Sequence, residues 1–271
     1  MEMLEGTLTS LAFCWRLQRR DGICIGFTSH DGDLKLDGLL YRAAPGMLPS
    51  SITLSDGFDA ETLDVSGALT SDAITARDLS AGRWDGAEVR LFLVDWEAPE
   101  GERLQLARGE LGEISVTGHG FESEVRGPTA LLERPVVEQT SPECRAELGD
   151  KRCRVDMAGR VRTTRIAAVL DDEVVELEAG TAAVNAYAYG RLRWIGGPNS
   201  GLESMVLSSD GLRLTLREPP PFPIEAGTLV EVHEGCDKSF ATCCSRFANA
   251  ANFRGEPHLP GMDLLTRYVG G

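Results

Sequence analysis

The sequence lacks the long apolar run that a membrane-spanning helix requires. No stretch of its 271 residues approaches the roughly 18 consecutive apolar residues of such a helix. Its N-terminus begins acidic, and the first basic cluster follows a short apolar run, which is the reverse of a secretory signal. We therefore expect neither a membrane span nor export by a signal peptide.

The sequence also lacks an excess of positive charge. It contains 27 Lys and Arg against 42 Asp and Glu, which gives a formal net charge of −15. This balance repels phosphate backbones at neutral pH and argues against tight nucleic-acid binding. A wall of this charge would instead let DNA pass without sticking to it.

Recognisable catalytic motifs are missing as well. The chain has no G-x-S-x-G, no H-E-x-x-H and no Gly-rich phosphate loop. His119 and His233 stand in no constellation that suggests a triad. The acidic run that begins at His30 lacks the spacing and closing Glu of a calcium loop, so we interpret it as a hairpin tip. A loop histidine, His258, has a structural role in this interpretation. We expect that the protein is not an enzyme.

Strand patterns dominate both halves of the chain and predict a mainly β fold. Residues 1–135 predict a β-barrel or sandwich with one short helix over 71–80, for which Ser71 is a suitable N-cap. Residues 136–271 predict a second β-rich domain that contains most of the cysteines and ends in a short helix over 237–250. Prolines and a polar stretch mark the boundary between the domains.

Four of the seven cysteines form two spaced pairs, Cys144-x8-Cys153 and Cys236-x6-Cys243, and Cys244 directly follows the second pair. Both pairs lie in polar, turn-rich segments, on either side of the predicted strands of the second domain. The sheet between them would return the chain to its starting edge, so that the two pairs meet. Thiols brought together in this way form a cage that usually holds a metal or an iron–sulfur cluster.

The spacing leaves the content of this cage open. An odd number of cysteines without a secretory signal favours a reducing compartment, in which thiols bind metal rather than form disulfides. Zinc sites usually separate paired ligands by about two to four residues, whereas a four-iron cluster is larger and suits wider spacing. A cluster, a zinc ion, and unliganded or disulfide-bonded cysteines all remain open. Cys14 and Cys24 fall in predicted strands, where we expect small buried apolar residues rather than ligands.

Three segments of the chain carry a family resemblance. They are GFTSHDGDLKLDGLLYRAAPG, SPECRAELGDKRC and GCDKSFATCCSRFANAANFRGEPHLPG. Together they resemble the tail-tip hub proteins of long-tailed phages and of gene transfer agents, which are phage-like particles of alphaproteobacteria. Over the cysteine region the chain is similar to the tail-tip hub protein of phage lambda.

The resemblance implies a structural subunit at the distal end of the tail, with tail-tube-like β-domains. It also implies a structural 4Fe–4S cluster bound by Cys144, Cys153, Cys236 and Cys243. The family pattern has a non-cysteine after the last ligand, whereas Cys244 stands there in this chain. We assign Cys243 as the ligand from the position of the motif.

The resemblance further implies partners and a location. We expect a homotrimer that contacts the distal tail protein and other tail-tip or fibre proteins, assembled in the bacterial cytoplasm and carried at the tail tip of a virion or phage-like particle. It would take part in tail assembly and DNA delivery, while DNA passes without specific binding. Two alternatives come from other classes, namely a zinc-stapled binding module and a cell-wall-degrading tail enzyme.

Overall fold

The computed structural model divides the chain into two compact units, Met1–Val136 and Val137–Gly271. The structure describes residues 10–44, 62–68, 74–117, 120–127, 130, 137–178, 180 and 182–259. Strands dominate both units, which confirms the prediction of a mainly β fold. Among the described residues, no helix is long and apolar enough to cross a membrane.

In the first unit, the described strands form one sheet of eight. The elements are β1 (Leu11–Gln18), β2 (Cys24–Thr28), β3 (Leu34–Leu36), β4 (Leu39–Ala43), β5 (Thr62–Ala68), α1 (Ala76–Ser80), β6 (Glu88–Asp95), β7 (Arg103–Thr117) and β8 (Gly120–Arg126). The strands follow the order β3-β4-β2-β1-β6-β7-β8-β5, and β2 and β4 pair in parallel. The sequence predicted a barrel or sandwich here, but the closed barrel of this protein lies in the second unit.

The two central strands of this sheet, β1 and β6, are buried on both faces. Successive side chains of a strand point to opposite faces. In β1, Trp15 and Leu17 therefore pack into one apolar cluster, whereas Ala12 and Cys14 pack into another on the opposite face. This double burial explains why β1 is rich in apolar residues along its whole length rather than in strict alternation.

The acidic run after β2 contains a hairpin, as the sequence predicted. Strands β3 and β4 pair in antiparallel fashion across Asp37 and Gly38. Both residues have positive φ, 48° and 77°, which is the conformation that a two-residue type I′ turn requires. Asp tolerates this left-handed region better than most residues, and Gly adopts it freely.

The predicted helix over 71–80 is shorter in the structure. Helix α1 begins at Ala76 because the Thr75 hydroxyl caps it, accepting a hydrogen bond from the Asp78 N–H at 3.1 Å. The proposed cap, Ser71, lies outside the described residues. Leu79 is the buried residue of this helix and joins the cluster of Trp15.

The second unit contains a closed six-stranded barrel. Its elements are β9 (Val161–Asp171), β10 (Val174–Leu177), β11 (Arg191–Trp194), β12 (Glu203–Asp210), β13 (Arg213–Leu216), β14 (Leu229–His233), α2 (Phe240–Ser245) and a 3-10 turn (Ala250–Asn252). The barrel order is β10-β13-β12-β11-β14-β9. Every second residue of the short strands is buried, as in β11, where Leu192 and Trp194 point inward and Arg191 and Arg193 are exposed.

The barrel returns the chain to the place where it entered. Strand β9 is its first strand and β14 its last, and the two are antiparallel neighbours, with Val161 opposite His233. The Glu234 N–H extends this pairing by donating to the Arg160 carbonyl at 2.9 Å. The segment before β9 and the segment after β14 therefore leave the barrel side by side, which is the return that the sequence predicted.

The exit from β14 depends on a close approach of two backbone segments at Gly235. A Cβ atom at this position would lie 2.0 Å from the Ala188 carbonyl oxygen and 2.1 Å from the Gly190 nitrogen. Only glycine fits this space. The crossing directs the next residue, Cys236, toward the segment that precedes the barrel.

Candidate cysteine site

Cys153 is oriented by a tight turn. The Asp150 carboxylate accepts hydrogen bonds from the N–H groups of Arg152 and Cys153, at 2.8 and 2.6 Å. The Asp150 carbonyl accepts a further bond from the Arg154 N–H at 2.8 Å. These backbone N–H bonds help to lower the pKa of Asp150 against the burial that would raise it. The turn therefore fixes the Cys153 backbone through hydrogen bonds within the protein itself.

Cys243 lies on the short helix α2. The helix begins after Ser239, whose hydroxyl accepts from the Thr242 N–H at 3.2 Å. Cys243 is buried, whereas Cys244 is exposed. The sequence predicted a helix over 237–250 with both cysteines on one face, but α2 ends at Ser245 and its single buried residue is Cys243. Residues about 100° apart around a short helix need not share an environment.

The two cysteine segments are joined through Lys238. Its backbone carbonyl accepts a hydrogen bond from the Cys144 N–H at 2.9 Å. Its ammonium group donates to the Ala146 carbonyl at 2.6 Å and lies 3.0 Å from the Glu147 carboxylate. Lys238 has a φ of 63°, which is uncommon for a residue with a side chain. One residue thus fastens the second cysteine segment to the first by both its backbone and its side chain.

A third segment, which follows α2, packs against the segment that contains Cys144. The Arg145 guanidinium makes two hydrogen bonds to the Glu256 carboxylate, at 2.7 and 2.9 Å. The Arg145 bonds and the Ser141 N–H lower the pKa of Glu256 to about 2. At Gly255, directly before Glu256, a Cβ atom would meet the Glu143 carbonyl oxygen at 2.4 Å. The close packing of these segments leaves the cysteine side chains in a fixed frame.

The thiols in this frame interact electrostatically. The pKa of Cys243 is raised to about 11, first by burial and then by neighbouring thiols, which are Cys144, Cys236, Cys153 and Cys244. The pKa of Cys236 is also raised, first by burial, then by the Asp237 carboxylate and to a smaller extent by Cys144. The structure therefore places the other three predicted ligands close enough to Cys243 to raise its pKa. Among the described residues, no group of three or more His, Cys, Asp or Glu side chains has the arrangement to hold a metal ion.

Three of the four sulfurs accept hydrogen bonds from N–H groups. The Arg254 backbone N–H points at the Cys144 sulfur at 3.4 Å, and the Asn249 side-chain amide lies 3.7 Å from the Cys153 sulfur. The Lys238 backbone N–H lowers the pKa of Cys236 by hydrogen bonding to its sulfur. Such bonds stabilise the charged thiolate relative to the thiol, and they are a recurring feature around iron–sulfur clusters.

The helix that bears Cys243 is also fastened to the barrel. The Arg246 guanidinium donates to the carbonyls of Ala186 and Gly235, at 2.6 and 3.0 Å, and to the Glu234 carboxylate at 2.8 Å. Arg160, at the start of the barrel, binds the same carboxylate at 2.6 Å. The Phe247 ring lies about equally far from the two guanidinium groups, 5.0 and 4.9 Å from ring centre to carbon.

Two family models match the chain. Residues 1–156 match the family described as baseplate hub protein, N-terminal attachment domain. Residues 185–263 match the family described as phage conserved hypothetical protein BR0599. This chain belongs to the baseplate hub protein family. The resemblance found in its sequence is thereby confirmed at the level of the family.

A solved structure supports the same assignment for this hub-family chain. The structure is described as "Virion of native gene transfer agent (GTA) particle", and one of its chains is 36% identical, with a TM-score of 0.84. The match covers 100% of this chain and 96% of that one. No curated protein matches the chain.

The other cysteines and histidines singled out in the sequence have surroundings of different kinds. Cys14 is buried in β1, as predicted, while Cys24 is half-buried, with its sulfur 3.2 Å from the Arg16 side chain. His30 stacks near the Trp96 ring, and His258 is exposed. His119 lies outside the described residues.

Sequence reasoning missed the residues that surround the sulfurs in this hub-family chain. Asn249, Arg254 and Lys238 supply N–H groups to three different sulfurs. Two of these donors are backbone groups, which every residue but proline possesses, so no residue type could have marked them. Asn249 can be found in the sequence after Cys243, but the direction of its side chain depends on the loop conformation, which the sequence pattern does not predict.

Proposed function

We propose that this chain is a structural hub subunit of the distal tail tip, or baseplate, of a phage or gene transfer agent particle, and that it is not an enzyme. The observation that carries the proposal is the match along the whole chain to a protein of a gene transfer agent particle, at 36% identity. The match of residues 1–156 to the attachment domain of baseplate hub proteins supports the same role.

The second part of the proposal is a structural 4Fe–4S cluster bound by Cys144, Cys153, Cys236 and Cys243. The donor types suit such a group, because three other thiols raise the pKa of Cys243 and N–H groups approach three of the four sulfurs. The described side chains are not arranged to hold a metal ion, so the proposal depends on the identity of the donors and on their shared neighbours. Burial favours Cys243 over the exposed Cys244 as the fourth ligand. The cluster would supply cationic iron that offsets the mutual repulsion of four thiolates.

The chain's own residues prepare this site. Lys238 holds the second cysteine segment against the first, and Arg145 with Glu256 holds the third segment in place. Two of the ligands would come from the segment that precedes the barrel in the chain and two from the segment that follows it. By binding one group they would tie these two segments together, as structural metals do in small domains.

We also propose the assembly, partners and location that the family resemblance implies. A homotrimer would contact the distal tail protein and other tail-tip or fibre proteins, would assemble in the bacterial cytoplasm, and would take part in DNA delivery. The formal charge of −15 supports passage of DNA without specific binding.

The placement is tested by tagging the chain in cells that produce the particle. Purified particles labelled with gold against the tag should carry label at the distal end of the tail. Label confined to the capsid, or its absence from intact particles, would contradict the structural role. The purified chain should also leave peptidoglycan intact, because measurable hydrolysis would favour the tail-enzyme alternative.

The cluster is tested by anaerobic purification, followed by an absorption spectrum and assays for iron and acid-labile sulfide. We expect a brown protein with about four irons and four sulfides per chain. A colourless protein with one zinc per chain would replace the cluster with the zinc-stapled alternative. Light scattering during the same preparation measures the mass and tests the homotrimer.

A further inference from the structure

Asn249 contacts a cysteine of each pair. Its side-chain amide nitrogen lies 2.6 Å from the Cys153 carbonyl oxygen and 3.7 Å from the Cys153 sulfur. Its backbone N–H donates to the Cys243 carbonyl at 3.0 Å, and its own carbonyl accepts from the Cys243 thiol at 3.4 Å. A residue that contacts both segments can fix the distance between their sulfurs.

The orientation of the Asn249 amide follows from its partners. The Cys153 carbonyl can only accept a hydrogen bond, so the NH₂ end of the amide faces it. The oxygen end accepts from the Asn252 side chain at 2.7 Å. With both ends assigned by these partners, an N–H group of Asn249 is directed at the Cys153 sulfur.

The two contacts with sulfur respond differently when the thiols become ligands. A metal-bound cysteine is a thiolate, so the hydrogen bond that the Cys243 thiol donates to the Asn249 carbonyl is lost. The bond from the Asn249 amide to the Cys153 sulfur becomes charge-assisted and therefore stronger. Hydrogen bonds to cluster sulfurs raise the reduction potential, because they stabilise the additional negative charge of the reduced state.

The conformation that presents Asn249 is itself restrained. Ala248, directly before it, has a φ of 48°, in the left-handed region that residues with a side chain rarely occupy. The backbone turns there from α2 toward the 3-10 turn, so that Asn249 follows the helix and faces back to Cys243. A strained residue maintained by its surroundings often accompanies a functional site.

We propose that Asn249 is a positioning residue for the cluster, which sets the orientation of Cys153 and raises the reduction potential through its N–H bond to the Cys153 sulfur. This inference rests on the proposed 4Fe–4S site and assigns a residue beyond the four ligands. Asn249 binds no iron in this proposal and acts only through the two cysteines.

The test compares three variants of the full chain after anaerobic reconstitution with iron and sulfide. Asn249→Ala removes the N–H donor without adding charge. Asn249→Asp removes it, adds a negative charge and keeps an oxygen for the Asn252 amide. Asn252→Ala serves as the matched control, because Asn252 contacts the Asn249 oxygen but is not among the groups that approach the sulfurs.

We expect the reduction potential to fall in Asn249→Ala, to fall further in Asn249→Asp, and to change least in Asn252→Ala. The iron–cysteine stretching bands in resonance Raman spectra should shift in the same order. Cluster loss in air should be roughly 10-fold faster in Asn249→Asp, the lower end of the effects of outer residues on metal sites. If Asn249→Ala does not accumulate as folded protein, Asn249→Asp, with nearly the same shape, carries the test.

The outcomes separate the two proposals. A wild-type protein that takes up no iron and sulfide contradicts the cluster itself, and the role of Asn249 falls with it. A wild-type protein that binds the cluster, with potentials and Raman bands unchanged in both Asn249 variants, refutes only the role of Asn249. A fall in iron content with an unchanged potential in the remaining clusters would also overturn the proposed N–H bond and leave a purely structural residue.

Discussion

The two units use cysteine in opposite ways. In the first unit, Cys14 fills the core of a sheet, where its sulfur lies 3.6 Å from the Thr28 hydroxyl and burial raises its pKa. In the second unit, burial also raises the pKa of Cys243, but other thiols raise it further. Burial alone therefore does not distinguish a structural thiol from one that we propose as a ligand. What distinguishes Cys243, which we propose as a ligand, is that other thiols lie among its neighbours and raise its pKa.

The units also differ in charge. The first contains 12 Lys and Arg against 23 Asp and Glu, a net charge of −11, and the second contains 15 against 19, a net charge of −4. Arginine in the second unit is committed to joining segments, as Arg145 and Arg246 show. The acidic balance thus belongs mainly to the unit without the thiol cluster, and it is this unit that we expect to repel DNA most strongly.

The largest expected effect comes from exchanging single cysteines. If the proposed cluster is present, Cys243→Ser should lose most of the bound iron and lower the melting temperature of the second unit, because a hydroxyl replaces the buried thiol that we propose as a ligand. Cys244→Ser should keep both, since Cys244 is exposed. Cys14→Ala, in the first unit, should keep the iron while costing about 1 kcal/mol of stability. Iron assay and calorimetry measure these effects, and loss of iron only in Cys244→Ser would show that the fourth ligand is misassigned.

The next effect compares the two apolar cores. Leu192→Ala in the barrel and Leu91→Ala in the sheet each remove a fully buried side chain, and each should cost about 2–5 kcal/mol of unfolding free energy. Only Leu192→Ala should also weaken iron retention, because the barrel holds the ends of both cysteine segments. Chelator challenge after denaturant titration provides the measurement. Equal iron loss in both variants would mean that the cysteine site depends on the first unit as well.

The sequence predicted the meeting of the cysteine pairs but not the way in which the site is built. Spacing and polar surroundings were enough to predict that the two cysteine segments meet, and they leave the barrel from the neighbouring strands β9 and β14. Alternation of apolar residues is the same in an open sheet and a closed barrel, so the pattern predicted a barrel or sandwich in the first half and did not predict that the strands of the second half close into a barrel. Helix periodicity extended α2 too far, because it does not register the left-handed turn at Ala248. The same turn determines where Asn249 points.

The stability of the protein should depend on pH through Glu256, which holds the segments around the thiols and is not itself a thiol. The folded pKa of Glu256 is about 2, below its ordinary value of 4.5. Its carboxylate therefore stabilises the fold at pH values above 4.5, and this contribution is lost as pH falls toward 2. Glu256→Gln should be less stable than wild type at pH 6, and the difference should shrink as the pH falls below about 4.

Asp37→Asn provides the matched comparison in the first unit. Arg103 lowers the pKa of Asp37 by hydrogen bonding to it, so the stability difference from wild type should have the same sign and the same loss in acid. Only Glu256→Gln should alter iron retention at pH 6. Chemical denaturation at several pH values measures the differences, and a difference for Glu256→Gln that grows in acid would contradict the assigned pKa direction.

The smallest expected effect concerns backbone strain in the two units. Ala248 in the second unit and Asp37 in the first have the same φ of 48°, but alanine has no polar side chain to bond locally and tolerates this region less well than aspartate. Ala248→Gly should therefore raise the unfolding free energy by about 1 kcal/mol, and Asp37→Gly should gain less or lose the Arg103 contact. Ala250→Gly, at the start of the 3-10 turn, should lower stability. Glycine there increases the conformational entropy of the unfolded chain and relieves no backbone strain in the folded state. Thermal unfolding of the three variants ranks them, and destabilisation by Ala248→Gly would show that the alanine methyl group contributes more through packing than the left-handed turn costs.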